Sequence, residues 1–127
     1  MKPTIQLFKA DSFSADETGT LTLPNDADPR EAALDGVHTV QLQFPSFADG
    51  RAFSQAFLLR RRLGFTGQIR AIGDVLIDQL AQMQRSGFTQ AVLRADQSIE
   101  HGQKLLAQYD AYYQGDAVDT RPHFAHA

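Results

Sequence analysis

The sequence predicts an α/β fold: repeated βα units carrying a small, mainly parallel sheet, with helices largely on one face, like part of a (βα) barrel. Three observations predict it. From Val37 onward, short β-type segments alternate with segments of helical period, the pattern of parallel βα units. A five-residue unit also recurs. Arg62-Leu63-Gly64-Phe65-Thr66 returns as Arg85-Ser86-Gly87-Phe88-Thr89, and a short strand ending in Arg-Ala follows each copy (Arg70-Ala71, Arg94-Ala95). Finally, the strands hold Gln41, Gln43, Gln68, Arg70, Gln90 and Arg94, too much polarity for a sheet buried on both sides. If strand order follows the chain, right-handed crossovers put every helix on one face. The other face is then semi-polar and is expected to meet a partner subunit.

The elements follow in order. Thr4–Phe8 reads as a short strand in an otherwise loop-like start. Thr18–Leu23 alternates Thr and Leu around Gly19 and reads as a second strand. Pro24-Asn25-Asp26-Ala27-Asp28 is turn chemistry, and Asp28 caps a short helix that begins at Pro29, runs to Leu34 and stops at Asp35-Gly36. Val37–Phe44 is a strand with His38, Val40, Leu42 and Phe44 on one side, and Pro45 blocks its continuation. Asp49-Gly50 leads into a helix over Arg51–Leu63 with an apolar stripe of Ala52, Phe53, Ala56, Phe57, Leu59 and Leu63. Arg60-Arg61-Arg62 reads as a solvated last turn that complements the helix dipole, and Gly64 as a left-handed cap. Gln68–Ile72 is a strand. Gly73-Asp74 opens a helix over Val75–Arg85, closed by Gly87. Gln90–Arg94 is the last strand, and Asp96 caps a helix over Gln97–Gln114 that ends at Gly115.

A chain of 127 residues fits one domain, 1–127, with flexible ends expected at 1–18 and 116–127. Acids outnumber bases, 15 to 12, for a net charge of −3, so there is no bulk case for nucleic acid, whose phosphates are gripped by excess Lys and Arg. The absence of Cys excludes disulfides, thiolate metal sites and thiol redox chemistry within the chain. No apolar run has transmembrane length and no secretory leader is evident, so no membrane is expected and a cytoplasmic protein is. Nine of the bases are Arg, the residue suited to planar, bidentate contacts with carboxylates and oxyanions.

Chemistry is expected beyond the carboxyl ends of the strands, where open α/β sheets and barrels bind ligands. That rim gathers Asp49, Arg51, Asp74, Arg94 and Asp96. Arg51, Arg70 and Arg94, with Gly50 and Gly73 allowing close backbone approach, are the candidate anion or substrate contacts. Asp49, Asp74 and Asp78 are the candidate acid–base groups, Asp74 and Asp78 lying one helical turn apart. Each has a structural alternative: Asp49, Asp74 and Asp96 make good helix caps, Arg51 pairs with Asp49 or Asp74, and Asp78 pairs with Arg70 or Arg51. His38, His101, His123 and His126 lack metal-ligand spacing, no His stands near Ser46 or Ser54 as a base, and neither a GxGxxG fingerprint nor a P-loop is present. No metal or cofactor is expected.

The run from Phe44 to Phe88 carries a longer signature. It reads Phe44-Pro45-x-Phe47-x-Asp49-Gly50-Arg51, then Ser54, Ala56 and Leu59-Arg60. It continues Arg62-x-Gly64-x-x-Gly67-x-Ile69-Arg70-Ala71-x-Gly73-Asp74-Val75-Leu76-x-Asp78-Gln79, then Arg85-x-Gly87-Phe88. This resembles a proteobacterial family of unknown function whose members are labelled "oxidoreductase probably involved in sulfite reduction". The resemblance covers about a third of the chain, and the preceding strand looks similar too. It implies a place beside sulfite reductase and phosphoadenylyl-sulfate reductase in sulfur assimilation and cysteine biosynthesis, because genes of the family usually neighbour theirs. Members often carry Cys where this chain has Ser86, and the N-terminal part is shorter here. The expected function is an accessory protein of assimilatory sulfite and sulfate reduction that binds a small oxyanion or the sulfite reductase machinery. The alternatives are an enzyme on a small anionic substrate, with Asp49 or Asp74 as acid/base and Arg51 and Arg70 as clamps, or a structural or regulatory homo-oligomer.

Overall fold

The computed structural model describes residues 5–12, 18–46 and 48–112. Expectations for Thr4, Phe47, Gln114, Gly115, His123, His126 and the 116–127 end lie outside these residues. The fold is a five-stranded, wholly parallel sheet with helices on one side, as the βα pattern predicts. The strands are β1 (Gln6–Phe8), β2 (Thr20–Leu23), β3 (Thr39–Phe44), β4 (Gln68–Gly73) and β5 (Gln90–Val92). Their spatial order is β1-β5-β4-β3-β2. From β2 to β5 the order follows the chain, and each connection returns on the same face. β1 departs from chain order. It pairs with β5, where the Ile5 amide donates to Gln84 Oε1 at 2.9 Å and Leu7 packs beside Gly102.

One apolar side of the sheet meets the helices. Val40, Leu42 and Phe44 of β3, Ile69 and Ala71 of β4, and Ala91 beside Leu93 pack with Ala52, Ala56 and Leu59, with Leu80 and Met83, and with Leu106. Helix α1 (Arg51–Phe57) lies on β3 and beside α2 (Leu80–Ser86), which lies beside α3 (Ile99–Tyr112). Phe44, Phe53 and Phe88 form an aromatic triangle with ring centroids 5.2 to 6.2 Å apart, in the range of favourable edge-on packing.

The opposite side is semi-polar, and parallel register explains how. Thr22, Gln41, Arg70, Gln90 and Gln6 are successive partners across all five strands. Their side chains bond along the row. Gln41 Nε2 donates to Thr22 Oγ1 at 2.9 Å, Arg70 Nη1 to Gln41 Oε1 at 2.8 Å, and Arg70 Nε to Gln90 Oε1 at 2.8 Å. Arg70 is only 2% exposed within the single chain. A buried guanidinium is tolerable only when its donors are met, and the two glutamine carbonyls meet two of them. The middle of this face is therefore closed without any partner, while Gln43 and Gln68 are exposed.

Local boundaries differ from the sequence expectation in four places. The helix expected over 29–34 is a single 3₁₀ turn, Pro29–Glu31, with Asp28 Oδ1 accepting from the Arg30 amide. The second expected helix starts late. Gly73 takes φ +99°, the Asp74 amide bonds Phe44 O and the Arg94 amide bonds Val75 O, so residues 74 and 75 stay tied to the sheet. A 3₁₀ turn, Ile77–Gln79, then leads into α2. The cap of α3 is Ser98, whose Oγ accepts from the His101 amide at 3.2 Å; Asp96 is held elsewhere. Lastly, α1 runs into a π-turn, Leu58–Arg62, where the Leu63 amide reaches back to Leu58 O.

That π-turn rotates Arg60 inward, against the expectation of three solvated arginines. Its Nη1 donates to Phe65 O at 2.9 Å and Gly67 O at 2.7 Å, and its Nε to Gly87 O at 3.0 Å. Both copies of the repeated glycine corner thus hang on one guanidinium. Gly64 (φ +67°) and Gly87 (φ +110°) are left-handed, as the repeat predicts. Among the described residues, no helix is long and apolar enough to cross a membrane.

Replacing Arg60 by Ala should lower stability in urea unfolding by about 2–3 kcal/mol, roughly one for each lost hydrogen bond. The same change at exposed Arg61 should stay within about 0.5 kcal/mol.

Candidate functional site

The carboxyl ends of β2 to β5 bring most of the expected rim together, in two separate networks. The first joins the ends of β2 and β3. Asp49, just before α1, accepts from the Arg51 amide at 3.0 Å and from Arg51 Nη2 at 2.7 Å. Asn25 Nδ2, from the turn after β2, donates at 2.7 Å to Asp49 Oδ2, the oxygen that also accepts from Arg51 Nη2. The bonds from Arg51 hold the Asp49 carboxyl well below its ordinary value of 3.8, at about 2. The same two-residue chelate occurs one strand earlier, where Arg30 folds its amide and guanidinium onto Asp28. Asp-x-Arg after a strand is thus a recurring local device here.

The second network joins β4 and β5. Arg94 donates through Nε and Nη2 to Asp96 at 2.7 and 2.8 Å and through Nη1 to Asp74 at 2.6 Å. Hydrogen bonds to Asp96 and Asp74 raise the Arg94 pKa, and the bonds from Arg94 in turn hold the Asp96 carboxyl down at about 2. Asp74 and Asp96 are therefore ion-pair partners, not helix caps.

The remaining candidates part company. Arg70 sits in the middle of β4, in the buried polar row, and not on the rim. Asp78 lies on the 3₁₀ turn before α2, where an acid in the first turn suits the helix dipole. It pairs with neither Arg70 nor Arg51. Gly50 has φ −91° and open space around an added Cβ, so nothing there demands glycine. Gly73 is the reverse: its left-handed φ of +99° and a Cβ that would stand 2.5 Å from Phe44 O together account for the glycine. Among the described residues no three His, Asp or Glu side chains converge as metal ligands.

Two contributors were not read from the sequence. Asn25 looked like turn chemistry only. Gln55 lies on the buried side of α1, and its Nε2 donates to Pro24 O and Ala27 O, both at 2.9 Å, fixing the turn that carries Asn25. A polar residue inside an apolar helical stripe was the available signal. Beyond Arg94, an open cleft of about 530 Å³ lies between the ends of β1 and β5 and the start of α3, lined by Lys9, Asp11, Arg94, Ser98 and Glu100. Its charges are balanced, two of each sign.

Gly73→Ala should cost about 2–4 kcal/mol through the left-handed φ and the carbonyl contact, whereas Gly50→Ala should fall within about 0.5 kcal/mol, both read from urea melts. Because the Asp49 and Asp96 pKa values are depressed on folding, their contribution is present above the ordinary 3.8 and is lost as pH falls through about 2. Thermal melts across that window should show stability falling with pH, with a shallower slope in Asp49→Asn.

The comparisons with known proteins are narrow. No curated protein and no solved structure is significantly similar to the chain. One family model matches residues 20–124, a span that holds every rim residue above and four of the five strands, all but β1. On that match the chain belongs to the family described as bacterial protein of unknown function (DUF934).

Proposed function

We propose that this protein is an accessory component of assimilatory sulfite reduction, in the cytoplasm, that works by docking on the sulfite reductase machinery. The role in sulfur assimilation rests on the resemblance of the Phe44–Phe88 run. The docking mode is supported by one observation: both rim arginines suited to clamping an oxyanion are already held by carboxylates. Arg51 is neutralised by Asp49, and Arg94 is outnumbered by Asp74 and Asp96. An anion approaching either would compete with a carboxylate fixed within three ångströms of the same nitrogens. A protein surface can instead exchange such exposed pairs one by one.

The same geometry weighs against an acid–base enzyme. A general base works best with a pKa near the operating pH; Asp49 lies far below it at about 2, and Asp74 is bound to the Arg94 guanidinium. A homo-oligomer built on the second sheet face would have Gln43 and Gln68 to work with, since Thr39, Gln41 and Arg70 are buried in the single chain.

Immobilised protein should retain sulfite reductase from purified mixtures, with retention weakened by salt, while calorimetric titration with sulfite or sulfate should give no saturable heat. Failure to retain the reductase would overturn the docking proposal. Saturable sulfite binding lost in Arg94→Ala would restore the oxyanion reading.

A further inference from the structure

The opposite end of α1 carries a surface that the rim does not explain. α1 starts at the carboxyl edge and ends at the other edge in the π-turn Leu58–Arg62. Phe57 and Leu63, at 51% and 38% exposure, are the large apolar side chains open to solvent among the described residues, and they bracket this turn. The Arg61 guanidinium lies 5.3 Å from the centroid of the Phe57 ring, a cation–π distance.

Widening the helix to a π-turn puts both the fourth and the fifth residue onward beside the first. Arg61 accordingly lies over Phe57 and exposed Arg62 follows it in the same turn, while Arg60 is bonded to the glycine corners. Charge pairing sets this place apart. Arg30, Arg51 and Arg94 each have a carboxylate, yet among the described residues no carboxylate lies within ion-pair distance of Arg61 or Arg62. An exposed aromatic ring with two unpaired guanidinium groups, on a chain of net charge −3, is complementary to carboxylates carried next to an apolar side chain.

The geometry points to Phe57, Arg61, Arg62 and Leu63 as a docking surface for an acidic protein segment, one that pairs Asp or Glu with Arg61 and Arg62 and lays an apolar side chain against Phe57 and Leu63. A nucleic-acid strand fits less well. Two arginines make no extended basic track, and the remaining net charge repels a phosphate backbone. This surface is independent of the sulfur-assimilation reading, because it stands on the π-turn and its unpaired charges alone.

The test uses the full chain and a short fluorescein-labelled peptide rich in Asp and Glu with interspersed Leu, followed by anisotropy. A Gln-for-Glu, Asn-for-Asp version and a labelled single-stranded oligonucleotide serve as the other probes. Saturable binding of the acidic peptide is expected. It should weaken about tenfold in R61E/R62E and about threefold in Phe57→Ser, and stay unchanged when Lys104, exposed on α3, is replaced in Lys104→Glu. Because all of these side chains are exposed, circular dichroism should show every variant folded. No binding, equal loss in Lys104→Glu, or indifference to Phe57→Ser would overturn the inference, the last two by reducing it to bulk charge attraction. Preference for the oligonucleotide would overturn it as well. So would a wild-type dimer in sedimentation that R61E/R62E splits, because the occupant would then be a second copy.

Discussion

A single side chain sets the relative position of the two central βα units. Arg60 reaches from the end of α1 to three backbone carbonyls, two in the corner that feeds β4 and one in the corner that feeds β5. The amides of these left-handed corners bond back to the preceding helical turns, Phe65 to Leu59 O and Phe88 to Met83 O, and the guanidinium serves the carbonyls that those bonds leave over. The π-turn is the geometry that permits this, since it advances the backbone enough for residue 60 to face inward. Everything at the far edge inherits the result. The β4–β5 ladder that starts at these corners, with the Arg94 amide bonded to Val75 O, brings Asp74 and Arg94 within 2.6 Å.

Much of this was legible in the chain. The repeated Gly-Phe-Thr corner, the alternation of strand and helix, and the capping acid Asp28 are local signals, and each appears where the sequence places it. What escaped is non-local. The position of β1 beside β5 depends on Gln84 and Gly102, distant in sequence, and no local pattern encodes that pairing. The late start of α2 depends on Phe44 O and the Arg94 amide holding residues 74 and 75 to the sheet. Asp96 has the sequence look of a cap, yet Arg94 two residues earlier outbids the helix amides for its carboxylate.

The site was legible by address more than by role. Topology alone places Asp49, Arg51, Asp74, Arg94 and Asp96 at one edge, and they are found there. The Arg51–Asp49 pair was among the pairings the sequence offered, whereas Arg94 with Asp96 and Asp74 was not, because that pairing needs the backbone conformation of the junction and the alignment of two strands. Arg70 was misplaced for a related reason. Its strand ends at the rim, but its own position belongs to a row of glutamines three residues back, and that row explains the polar strands as an internal network.

The two ends of the molecule are thus unlike in a way composition conceals. At the carboxyl edge every arginine is matched or outnumbered by fixed carboxylates. At the opposite edge, Arg61 and Arg62 have no carboxylate within ion-pair distance among the described residues, and Arg61 lies over an exposed ring. A polarised surface of this kind on a small chain has a physical consequence. Partners of opposite sign are steered to opposite ends, and the desolvation needed at each end is small because the charges stay near water.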